Sequence, residues 1–215
     1  MANYSFRKYR PLSLRLWHWG TALLIIGLLL TVHLRKTLLS WRTNSALIQD
    51  KLSAAGTEIP SDLARQIAVA IRDPLWDWHI YMGVILGVFF VGRLLIGIFE
   101  KPCLGSLILK SLSGLGQVPG KEKADAIHFT VVKIIYAVFY LATAFMVISG
   151  FLLTFQTELG LARETVRTLK QSHELLTWPY AIFVGAHIVG VVWTEVCRAP
   201  GLVSEMISGG ERKEK

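Results

Sequence analysis

The stretch SHELLTWPYAIFVGAHIVGVVW, residues 172–193, carries two histidines, His173 and His187, fourteen residues apart in an otherwise apolar run. In a helix, fourteen residues turn about 1400°, roughly 40° short of four full turns, and rise about 21 Å. Both imidazoles therefore leave one face of one helix, at two depths. Two other apolar segments each carry a histidine near one end, His18 and His79. Four imidazoles so placed can clamp two stacked haems inside a membrane bundle, each iron between two neutral rings.

Composition supports a membrane setting. The 215 residues are 53% hydrophobic with a mean hydropathy of +0.47, more apolar than a soluble domain of this length requires. Four runs, 14–34, 78–99, 129–155 and 174–197, reach the twenty or so apolar residues that span a bilayer. The expected fold is all-α, an integral membrane four-helix bundle forming one domain over 1–215. The basic lead Arg7, Lys8, Arg10 and Arg15 is followed by an apolar run too long for a signal peptide, with no small-residue cleavage site. The formal charge of +8 accompanies no basic–aromatic module, so it points to anionic lipid and not to nucleic acid. Cys103 and Cys197 are solitary, which removes covalent c-type haem and a zinc ribbon by their usual signatures. No P-loop, G-x-S-x-G or H-E-x-x-H occurs.

Four helices put both termini on one side. Twelve lysines and arginines fall on that side against nine on the other, which places the termini in the cytoplasm. His18 then lies near the inner surface and His79 near the outer. On the last helix His173 is outer and His187 inner. The pairs are His18 with His187 and His79 with His173, and they persist if the whole orientation is reversed. His33, about 60° off the face of His18, is the alternative outer ligand. His128, at the start of the third helix, is the alternative inner one. Scattered packing or proton-relay histidines are the bland reading of the same residues.

Arg93 follows His79 by the same fourteen residues, so it shares that face at the inner level. A haem propionate or a quinone site would satisfy its charge; snorkelling to the headgroups is the other way to do so. His128 with Asp125 and Lys133 forms a candidate quinone pocket beside the inner haem. The long first loop, about 35–77, contains two amphipathic helices, 45–55 and one running from Pro60 to a stop at Asp73-Pro74. The third loop contains a similar piece with Leu159, Leu161, Val166 and Leu169. These outer-loop helices are expected to lie on the membrane and cover the outer haem. The second loop, 101–126, reads as interfacial.

The segments LRLWHWG (14–20), DWHIYMGVILGVFFVGRLLIG (77–97), MVISGFLLTF (146–155) and the last-helix stretch resemble the four-helix di-haem cytochrome b family. That family includes bacterial cytochrome b561 and the membrane subunits of nickel–iron hydrogenases and formate dehydrogenases. The resemblance implies two haem b groups ligated by His18, His79, His173 and His187, and electron exchange with quinone. The expected function is electron transfer between an outer-side redox subunit or cytochrome and the quinone pool, in a bacterial inner membrane. Two alternatives stay open: a free-standing oxidoreductase passing electrons from a small reductant such as superoxide to quinone, and a haem-free transport or structural protein. A homo-oligomer is compatible with either.

Overall fold

In the computed structural model, residues 11–99, 104–114, 116, 118–120, 123–197 and 200–209 are described, with backbone only at 98, 99, 104–107 and 125. Arg7, Lys8, Arg10, Cys103 and the side chain of Asp125 thus lie outside the described residues. The fold is all-α. In chain order the helices are α1 Leu12–Lys36, α2 Trp41–Ala54, α3 Ser61–Arg72, α4 Pro74–Phe99, α5 Leu104–Gly114, α6 Lys123–Thr154, α7 Arg163–Cys197 and α8 Leu202–Ser208. Among the described residues, four long apolar spans, carried by α1, α4, α6 and α7, match the number expected.

Burial follows the logic of a bilayer. Large apolar side chains of the spans face outward, with Leu23 69%, Leu141 71% and Val189 68% exposed. The most deeply buried positions of the spans are small or hydroxylic, among them Ser149 at 1% and Thr143 at 2%, with the larger Ile25, Leu86, Phe90 and Phe129 buried beside them. Lipid solvates leucine as well as another helix does, so helix contacts select residues that allow close approach or hydrogen bonding.

Helix ends depart from the expected limits in three instructive places. The last span begins at Arg163, not near 174. The amphipathic piece of the third loop is therefore no separate helix: Val166 and Leu169 sit in the opening turns of α7, and Leu159 and Leu161 precede it. The run from Arg163 to Ser172 is polar but made of good helix formers, so it extends the helix beyond its apolar part. The third span begins at Lys123, not 129, so His128 lies inside α6 and does not open it. The second span begins at Pro74 with Asp77 in its first turn. Proline suits a first helical position, and an acidic first turn complements the helix dipole.

By compactness the chain forms two units, residues 20–87 and residues 1–19 with 88–215. In the first, α2 packs on α3, whose Ala64 and Ala68 are fully buried one turn apart. Its Leu63, Ile67 and Ile71 remain exposed as an apolar stripe. In the same unit Gly27 lies where a Cβ would come within 2.6 Å of the Met82 sulfur, so a side chain at residue 27 would oblige the flexible Met82 thioether to shift. In the second unit α6 packs against α5 and α7, and α8 folds back on α7. α8 was not expected from the sequence. The Glu195 carboxylate accepts hydrogen bonds from the backbone N–H groups of Gly201 (2.8 Å) and Val203 (2.9 Å), tying the start of α8 to the end of α7. Gly201 makes the turn with φ +102°, a left-handed conformation suited to glycine.

Candidate functional site

Unit by unit, the side chains singled out by the sequence fall into two groups. His18, His79, His173, His187 and Arg93 are half-buried, whereas His33 and His128 are exposed. Exposure thus separates the four primary ligand candidates from both alternatives.

His18 and His187 belong to the same unit, and their ring centroids lie 6.2 Å apart with an interplanar angle of 65°. Two imidazoles this close, one on α1 and one on α7, could both serve as ligands of one metal. Among the described residues no three His, Cys, Asp or Glu side chains gather into a metal cage. Haem needs none, because the porphyrin supplies the equatorial ligands and the protein only the axial ones.

Neighbouring aromatic side chains set both rings. Trp17, beside His18, donates its indole N–H to the Phe89 carbonyl (3.1 Å) and stacks on Tyr140 (6.2 Å, 3°). On the same helix, Trp19 donates to the Met206 carbonyl of α8 (3.0 Å), and Arg15 donates to the Ile207 carbonyl. α8 thus holds the opening of α1, where His18 sits. Arg93 lies over the Trp17 ring, its guanidinium carbon 5.8 Å from the ring centroid. On α7, Phe183 stacks on His187 (6.0 Å, 9°) and on Phe139 (4.4 Å, 21°). Phe139 in turn contacts Tyr180 (5.3 Å).

Tyr180 was missed by the sequence reading. It lies seven residues from His173 and seven from His187, on their shared face, and is buried with its hydroxyl bonded to Thr143. The same arithmetic that selects the histidines selects it.

His173 and His79 show a common local arrangement. His173 Nδ1 is 2.8 Å from the Ser149 hydroxyl of α6, and a Cβ at Gly150 would touch the same ring at 3.5 Å. His79 Nδ1 is 2.9 Å from the Thr31 hydroxyl of α1, and Trp76 stacks on its ring (5.0 Å, 5°). The Arg35 guanidinium lies 5.2 Å from the Trp76 centroid and also bonds the Arg72 carbonyl (3.1 Å) and Asp73 (3.2 Å). Arg42 and Arg65 lie over the Trp41 ring at 4.9 and 4.8 Å.

The candidate quinone residues are more dispersed. Lys133 places its ammonium 5.2 Å from the Phe129 ring centroid. Five residues along α6 set Lys133 about 140° around the helix from His128.

A family model for prokaryotic cytochrome b561 matches residues 9–209. Comparison with curated proteins and with solved structures produced no significant match. With the four apolar spans and the paired imidazoles already described, that match over nearly the whole chain shows that the protein belongs to the prokaryotic cytochrome b561 family.

Proposed function

We propose that this membrane b-type cytochrome carries electrons between an outer-side redox partner and the quinone pool through two bis-histidine haems. The observation that supports the reading is the closeness of the His18 and His187 rings within one unit, two imidazoles that could hold one haem iron between them. His18 and His187 would hold the inner haem b, and His79 and His173 the outer one. The second pair rests on the depth of each histidine along its own helix in the sequence. When bound, each haem supplies a one-electron iron couple.

The chain's residues then have separate tasks. The four imidazoles fix iron at two levels. Arg93, at the inner level, neutralises a propionate or the adjacent quinone site, since a cation within the hydrocarbon needs a compensating anion. His128, Asp125 and Lys133, near the start of α6, would supply polar contacts and a proton path for quinone. The exposed apolar spans contact lipid. The termini would face the cytoplasm and the protein would sit in the bacterial inner membrane, as the loop charges favour.

A second reading is favoured by the arginines of the first loop. Arg35, Arg42, Arg65 and Arg72 cluster with Trp41 and Trp76 in one unit, and Arg35 is bonded directly to the Arg72 backbone. Such a basic surface can steer a small anion such as superoxide toward a haem without a partner subunit.

A single preparation tests both readings. The purified protein in liposomes should contain close to two acid-extractable haems per chain, and a membrane quinol should reduce them under anaerobic conditions. No haem, or haem that quinol leaves oxidised, would refute the first reading. Turnover of superoxide with quinone in the absence of any partner would select the second.

A further inference from the structure

We propose that Thr31 and Ser149 are positioning residues that fix the tautomer of His79 and His173, protonating Nδ1 and leaving Nε2 as the lone-pair nitrogen that meets iron. The inference rests on the assignment of these two histidines to the outer haem.

A hydroxyl has one hydrogen to donate. Thr31 lies on α1, and its Oγ1 donates that hydrogen to the Leu28 carbonyl at 2.7 Å. Its contact with His79 Nδ1 at 2.9 Å must then run the other way, with the ring N–H donating to Oγ1. Ser149 lies on α6, and its Oγ donates to the Phe145 carbonyl at 2.6 Å, with a longer approach to the Met146 carbonyl at 3.3 Å. Its contact with His173 Nδ1 at 2.8 Å is therefore also donated by the ring. Both residues are buried, Thr31 at 6% and Ser149 at 1% exposure, so water does not replace the backbone carbonyl as acceptor of either hydroxyl hydrogen. The same solution appears twice, on different helices and in different compact units.

The consequence is electronic as well as geometric. An imidazole that donates from Nδ1 is a more basic ligand through Nε2, and a more basic ligand favours ferric over ferrous iron. The two hydroxyls thereby hold the outer haem at a lower midpoint potential than it would have without them. The chemistry is electron-neutral: no bond to iron changes, only the strength of its donor.

The test uses the intact holoprotein in detergent. Thr31→Val and Ser149→Ala are compared with Thr31→Ser and Ser149→Thr by haem content and by potentiometric titration of the α-band. The expected result is that both hydroxyl-deleting variants keep two haems. In each, the same haem, the one lost in His79→Ala, moves to higher potential. Its reduced-to-oxidised ratio at fixed potential should change about tenfold, ~59 mV for one electron, while the other haem stays put. Thr31→Ser and Ser149→Thr should hold the wild-type potential. Loss of that haem from Thr31→Val but not Thr31→Ser would support the same role. Unchanged potentials with two haems retained would overturn the proposal, as would equal shifts in both haems or equal effects of the hydroxyl-retaining variants. A wild-type chain without haem would instead refute the functional reading on which the proposal stands, and the proposal with it.

Discussion

The proposed inner haem offers the sharpest perturbation, because His18 and His187 lie within one compact unit at 6.2 Å between ring centroids. If one iron sits between them, removing either ring removes half of the same axial pair. His18→Ala and His187→Ala should each lower the haem content from close to two per chain to close to one. The double variant should stop at the same value, since a site already emptied cannot be emptied again. This is strong non-additivity of the kind expected for residues acting as a unit. Independent sites would instead drop the double variant to none. The assay is a pyridine haemochrome determination against protein concentration, followed by redox titration of the haem that remains. Its midpoint potential should be the same in all three variants, because each retains the same outer haem. His33→Ala and His128→Ala serve as controls and should keep both haems, as both side chains are exposed. A double variant without haem, or single variants whose remaining haems differ in potential, would refute the pairing.

Other perturbations follow from particular contacts. Gly27→Ala should destabilise the protein only slightly: helix propensity would gain about 0.5–1 kcal/mol, the new Cβ falls 2.6 Å from the Met82 sulfur, and because that sulfur ends a flexible side chain the overpacking cost lies at the low end, about 1 kcal/mol. Pairing it with Met82→Ala should recover part of the loss in a thermal unfolding series, and a cycle with no coupling would exclude this contact as the cause. Arg93→Gln should lower the midpoint of the haem bound by His18 and His187, since losing a nearby positive charge favours the oxidised, more positive iron. At roughly 10 Å and an effective dielectric of about 20, the lost interaction is on the order of 1.7 kcal/mol, or some tens of millivolts. An unshifted inner haem would mean that Arg93 reaches the headgroups instead. Glu195→Gln should loosen α8, read as faster amide exchange over Leu202–Ser208, because the carboxylate accepts from both Gly201 and Val203. Unchanged exchange there would show that the contacts of Trp19 and Arg15 alone retain the helix.

What could be read from the amino-acid order, and what could not, divides along one physical line. Positions on a single helix are related by its 3.6-residue repeat, so the His173–His187 face and the four apolar spans were visible without coordinates. Tyr180, seven residues from each histidine, shares that face by the same repeat. Hydropathy located the apolar part of each span and misjudged its ends. The polar opening of α7 from Arg163 continues a helix that a hydrophobicity threshold cuts short. Relations between helices are a different matter. That Ser149 meets His173, and Thr31 meets His79, depends on rotation and register between neighbouring helices. No periodicity within one helix encodes either quantity. Serine and threonine are also ordinary residues at membrane helix contacts, where they commonly bond their own backbone, as both do here. The second role proposed for them follows if that backbone bond consumes the only hydroxyl hydrogen and leaves an acceptor facing the ring. The proposed ligands are therefore legible as a spacing, whereas the hydroxyls beside His79 and His173 emerge only from packing.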